Sequence, residues 1–337
     1  MSWTVMGRAS LIHRGQARLS GSRYDCGMRA RLALVALVAL VALAGCARQA
    51  PERPGDLREA GTAAITDGAV DAAVAADNAD AGDAGDAGDA GARALVGYPT
   101  ILELREGEER LGFVAVPLGA REPRPLMVAL HGGSETPNKS TVCPAWREIT
   151  DGHAFVVCPR GFGGNERALG WRTRDDTERR IQRAVDATKR VFTTWVKDTP
   201  SIVLAGFSMG ATQVALLAGT SPARYRRIAV GDSAHDPGSS LRFSTKWGQG
   251  SGERALFLCT TSGCEPSLRA ASKNVAARGG HARLNVAPTQ VHGLSPAVVQ
   301  SMRRDWPWLV EGAEGWESYV PPAGGASLPG RTETFEP

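Results

Sequence analysis

Residues 201–212 read SIVLAGFSMGAT and set Ser208 between Gly206 and Gly210. A serine hydroxyl in this setting can attack a carbonyl carbon if a base takes its proton and fixed donors hold the oxyanion that forms. A serine that only caps a helix would fit the same spacing. With 40 glycines in 337 residues, Gly-x-Ser-x-Gly is a weak pattern by itself, so its surroundings must decide between the two. Four strand-favouring residues precede it and an alanine-rich stretch follows. The serine is therefore expected on a tight strand-to-helix turn, where side chains at 206 and 210 would collide with the neighbouring helix and strand. The same turn aims the Met209 N–H at the site from a helix N-terminus, where the dipole favours negative charge.

The base must be an imidazole. Of six histidines, His13 lies in a leader, His131 belongs to the loop VALHGGSE, His153 precedes a strand and His281 ends a helix. His292, in APTQVHGLSP, follows the last apolar strand and directly precedes the final helix, which puts it at the carboxyl edge of the sheet, where ligands bind. His292 is the expected base, with His235 in reserve. His131-Gly132-Gly133 follows the first continuous apolar strand and leaves backbone N–H groups unobstructed. Gly133 is the expected second oxyanion donor, with Ser134 next.

The elements that position these groups come from hydrophobic patterning. TILEL and RLGFVAVPL alternate like half-buried strands. LMVAL, AFVVC, SIVLAGF, RIAV, ALFLC and ARLNVA are apolar runs suited to parallel strands covered on both faces. Helical stretches lie between them; the one opening DDTERRIQRAV carries its acids in the first turn and places Ile181 and Val185 at helical spacing. Strands alternating with helices of this length predict an α/β fold, a mostly parallel, doubly wound sheet of about eight strands with helices on both faces.

In this order, strand, HGG, strand, GFSMG, two strands and His resembles the α/β-hydrolase family over about residues 95–310. It is most similar to bacterial esterases grouped with dienelactone hydrolases, phospholipase/carboxylesterases and feruloyl or polyhydroxyalkanoate esterases. The resemblance implies Ser208 as nucleophile, His292 as base, and an oxyanion hole from the Met209 and Gly133 N–H groups. It also implies an acid in a Gly-x-x-Asp-Pro segment after the penultimate strand. Here the chain departs, reading CTTSGCEPSL. Glu265 before Pro266 is the expected acid, since a glutamate can orient an imidazole as an aspartate does. The same glutamate could simply start a helix, and Asp232 and Asp236 one strand earlier are the reserves. Val291 also stands where the family has a glycine before its histidine.

Met28 begins MRARLALVALVALVALAGC, two arginines ahead of an apolar run that suits a signal-peptide core. Leu43-Ala44-Gly45-Cys46 resembles the bacterial lipobox, in which the cysteine is acylated. Residues 1–27 are unlike a signal n-region, so translation is expected to start at Met28 and the signal peptide to be 28–46. Residues 47–94, rich in Asp-Ala-Gly, hold almost no large apolar residues and are expected to form a flexible tether. Residues 95–312 form the hydrolase domain, and 313–337 a flexible tail. The chain is then expected in the bacterial cell envelope as a monomer, joined to a membrane, the outer one favoured, through a lipid at Cys46.

Cys143, Cys158, Cys259 and Cys264 remain after Cys26 and Cys46 are set aside. Among three possible pairings, Cys143–Cys158 and Cys259–Cys264 are expected because each pair is close in sequence and flanks a strand end. They show no Cys-x-x-Cys and no histidine at ligand spacing, so no metal is expected, nor any cofactor. The net charge is +4, spread as +5 over residues 1–46, −6 over 47–93 and +5 over the rest. With no basic stripe interleaved with aromatics, nucleic acid is not an expected partner. The expected function is a tethered serine hydrolase acting through an acyl-enzyme. Carboxylic esters are preferred over peptides as substrates because no second domain gates peptide entry. A catalytically weak cell-surface binding module is the alternative, with a peptidase or acyltransferase of the same fold behind it.

Overall fold

The computed structural model describes residues 93–133, 142–163, 169–233, 243–287, 289–323 and 329–337. The leader, Cys46, Ser134, His235 and Asp236 lie outside the described residues.

Among the described residues, nine strands form one sheet. They are β1 (Ile101–Glu106), β2 (Glu109–Ala115), β3 (Leu126–Leu130), β4 (Phe155–Pro159), β5 (Val203–Phe207), β6 (Arg227–Gly231), β7 (Arg254–Cys259), β8 (His281–Val286) and β9 (Arg331–Phe335). Their order is β1-β2-β4-β3-β5-β6-β7-β8-β9. Every pair from β4 through β8 is parallel, while β1, β2 and β9 add antiparallel edges. The helices are α1 (Val142–Ile149), α2 (Arg174–Val191), α3 (Met209–Thr220), α4 (Phe243–Gln249), α5 (Glu265–Ala276) and α6 (Pro296–Val310).

Alternation along the strands splits the core into two layers. Val128, Leu130, Leu204, Ile228 and Phe257 pack with residues of α2, α3 and α5 on one face. Met127, Ala129, Ala205, Phe207 and Leu256 pack with α1 and α6 on the other. All five residues of β3, β4, β5 and β6 are buried, as continuous apolar runs require. Both expected disulfides are present, Cys143–Cys158 and Cys259–Cys264. The first ties α1 to β4 and closes a loop of sequence separation 15, worth about 3 kcal/mol in the chain-entropy model.

The chain runs from β3 outward to β4, then crosses to β5 on the other side of β3. That reversal opens a crevice beyond the carboxyl ends of β3 and β5, the place where open α/β sheets bind ligands. The HGG loop leaves β3 there and the Ser208 turn leaves β5. The described chain enters at the opposite edge: Leu95 N–H donates to Ala120 O at 2.7 Å, just ahead of β3.

The expectation of a flexible tail needs correction. Arg331–Phe335 pairs along β8 from Ala282 to Val286 as β9. RTETF has no apolar run to betray it; its polar side chains do the fastening. Thr332 Oγ1 donates to the buried Asp305 at 2.7 Å, Arg331 donates to Glu265 at 2.8 Å, and Glu333 pairs with Arg269.

Candidate active site

Ser208 stands between β5 and α3 at φ 54° and ψ −122°, a backbone conformation that L-residues avoid. Its N–H donates to Gly231 O at 2.8 Å, which fixes the turn to the end of β6. The side chain makes no capping bond to α3, so the helix-cap reading of the motif does not hold. Tight approach explains both glycines. A Cβ at Gly206 would stand 2.7 Å from Gly210 O, and one at Gly210 would stand 2.6 Å from His131 O and closer still to Leu130 O.

His292 lies with its ring 4.8 Å from that of Phe207, the residue before Ser208. Its Nδ1 is 3.0 Å from Asp232 Oδ2. The imidazole is about two-fifths exposed, whereas Asp232 is 2% exposed. Asp232, directly after β6, itself adopts φ 47°, a left-handed conformation that aspartate tolerates better than most residues. Its Oδ1 accepts from Thr260 N–H at 2.8 Å, and its Oδ2 accepts from the Thr260 hydroxyl. With a donor on Oδ2, the ring nitrogen facing Asp232 carries the proton and Nε2 is left as the basic nitrogen.

The carboxylate partner of His292 is therefore Asp232, not the expected Glu265. Glu265 opens α5 and turns toward β9, where Arg269 and Arg331 bind its Oε1 at 2.5 and 2.8 Å. Arg331 first, then Arg269, holds its carboxyl below the usual range. The missed signal was positional. Asp232 sits at the tip of RIAVGD, beside the strand that carries Ser208, and Gly231 lets Phe207 pack against it, since a Cβ there would stand 2.9 Å from the Phe207 ring.

The two residues expected to donate to the oxyanion are neighbours in space. Met209 is the first residue of α3, and its side chain lies over Gly133, whose absent Cβ would meet Met209 Cε at 3.0 Å. Met209 is 41% exposed at the mouth of the site. Trp171 closes one side, with its backbone N–H 3.5 Å from Met209 Sδ and its indole N–H donating to His131 O at 2.8 Å. Trp247, by contrast, is a packing residue, wholly buried and bonded to Tyr225 O.

His131 braces the HGG loop. Its Nε2 accepts from Gly161 N–H at 2.9 Å, so Nδ1 carries the proton and donates to Gly132 O at 2.6 Å. Burial lowers its pKa to about 4, so this arrangement persists at neutral pH. Between pH 6.5 and 4 the unfolded chain binds the proton that the folded imidazole refuses, so folding stability falls as pH drops through that window. The loss from this residue should be about 3 kcal/mol. Denaturant titrations from pH 7 to 4 should show that slope in the wild type and a flatter one in His131→Gln.

Asp232, Cys259 and Cys264 lie within 4.8 Å of one another, a grouping that resembles a metal ligand set. Both sulfurs are consumed in the bridge and offer no thiolate, so the group does not suit a metal.

A serine on a strained strand-to-helix turn, a glycine-rich loop after β3 and a histidine after the last parallel strand are the arrangement of the α/β-hydrolase fold. No protein-family model and no curated protein matches the chain. Among solved structures, the chain is similar to Est1E from Butyrivibrio proteoclasticus, at 13% identity and TM-score 0.47, covering 63% of this chain and 98% of that one. It is also similar to an acylaminoacyl peptidase from Pyrococcus horikoshii, at 12% identity and TM-score 0.46, covering 68% of this chain and 44% of that one. A thermostable esterase aligns at 16% identity and TM-score 0.39, covering 59% and 58% of the two chains.

Proposed function

We propose that the protein is a serine hydrolase that cleaves carboxylic esters, with Ser208 as nucleophile, His292 as base and Asp232 as acid. The observation that carries this reading is the strained, uncapped Ser208 directly after Phe207, whose ring packs on a histidine already bonded to a buried carboxylate. A binding protein gains nothing from holding a serine in that conformation.

In this reading His292 Nε2 takes the Ser208 Oγ proton as Oγ bonds to the carbonyl carbon. The negative charge moves onto the carbonyl oxygen, where the Met209 and Gly133 N–H groups receive it. The tetrahedral adduct then expels the alkoxide, which leaves as an alcohol carrying the proton from His292. Water, deprotonated by the same imidazole, releases the acid and restores the serine. Asp232 keeps the imidazole in the required tautomer and stabilises its charged form. The chain is further proposed to be an envelope lipoprotein anchored through Cys46, on the strength of its sequence alone.

A fluorophosphonate probe tests the chemistry. The protein from residue 93 onward should label stoichiometrically, with the adduct mapped to Ser208 by mass spectrometry. His292→Ala should label far more slowly at the same probe concentration. A folded protein that stays unlabelled would return the chain to the binding-module reading.

A further inference from the structure

The acid leaves β6, yet the groups that hold it come from the next loop, after β7. Thr260 gives both its N–H and its hydroxyl to the Asp232 carboxylate, one to each oxygen. Thr260 is itself 1% exposed and directly follows Cys259, the first cysteine of a bridge that closes only five residues later on Cys264. Cys264 Sγ rests 3.0 Å from Asp232 Oδ1, and both cysteines are buried. A carboxylate buried this deeply needs such donors, because a buried polar group without hydrogen bonds is costly. Here they arrive on a loop too short and too tightly closed to drift. Among the described residues, His292 is the one titratable group bonded to Asp232.

Oδ2 is shared. It accepts from the Thr260 hydroxyl and from His292 Nδ1 at once. The hydroxyl therefore fixes the plane in which the imidazole must lie and draws off part of the charge that would otherwise bind imidazolium. The bridge has a complementary part, holding Thr260 where both donors reach.

We propose that Thr260 is a positioning residue for the triad, acting on His292 through Asp232, and that the Cys259–Cys264 bridge acts through Thr260. This inference rests on the hydrolase reading above. It concerns the loop after β7, where the acid itself was expected from the resemblance; in this chain that loop supplies the acid's clamp.

Thr260→Val keeps the shape and removes one charge-assisted bond, so kcat should fall about 10- to 100-fold with KM little changed. Thr260→Ser should restore kcat. Cys259→Ser/Cys264→Ser should lower kcat as well, and adding Thr260→Val to it should cost little more, since both changes act on one contact. The downfield proton resonance of His292 Nδ1–H gives a second reading in any folded variant, and Thr260→Ala replaces Thr260→Val should the latter not fold.

A Thr260→Val enzyme with wild-type kcat and proton resonance would overturn the inference. So would fully additive losses from bridge and threonine, for the part assigned to the bridge. The parent reading fails separately: in that case the wild type itself does not label with the fluorophosphonate.

Discussion

Asp232→Asn should lower kcat on a p-nitrophenyl ester by about 10⁴-fold, with KM within a few-fold of wild type. Asparagine keeps the shape of the buried site, and its amide can still meet the Thr260 hydroxyl. An amide that presents its N–H₂ to His292, however, favours the tautomer with the proton on Nε2. That tautomer cannot take a proton from Ser208. Glu265→Gln is the matched control. Its carboxylate serves Arg269 and Arg331 at the start of α5, so kcat should stay within about twofold of wild type while Tm drops slightly. The opposite pair of results, a silent Asp232→Asn and a dead Glu265→Gln, would mean that His292 turns to the β7 loop during turnover.

The second large effect comes from Gly210→Ala. One methyl group is added, but it lands on the backbone carbonyls of Leu130 and His131, neither of which can swing aside as a side-chain tip would. Helix α3 must retreat from the end of β3, at a cost of about 1–3 kcal/mol. The retreat carries Met209 away from Gly133, and with it the proposed pairing of their N–H groups on the oxyanion. A misplacement of about 1 Å is enough for roughly a 100-fold loss in kcat. Gly133→Ala makes an instructive contrast in stability. Its methyl would meet only the mobile end of the Met209 side chain, so Tm should hardly move. Thermal unfolding and kcat, measured on both variants, separate steric blockade from simple loss of glycine.

The sheet was legible in the sequence because its strands are apolar on both faces, and a run such as LMVAL has few other places to go. The nucleophile turn and the HGG loop were legible for a related reason: close backbone approach demands glycine at fixed offsets. The disulfides followed from short separations. The acid was not legible. Which carboxylate reaches His292 depends on a contact of 3.0 Å across neighbouring strand ends, and nothing in local patterning distinguishes Asp232 from Glu265 at that scale. A glutamate before proline drew attention to the loop after β7, whose real contribution is a threonine. Strand β9 was missed because polar residues joined by charge pairs leave no hydrophobic period to read.

The chain's two approaches to the sheet have a consequence for orientation. Leu95 docks beside Ala120 at the amino edge of the parallel strands, and β9 runs back along β8 until Phe335 stands opposite Ala282, at that same edge. Residue 93 thus meets the fold on the side away from Ser208. A tag or solid support coupled at that residue would hold the domain by its back and leave the crevice beside Ser208 facing the solution, so immobilisation there should cost little of the protein's reactivity toward a soluble probe.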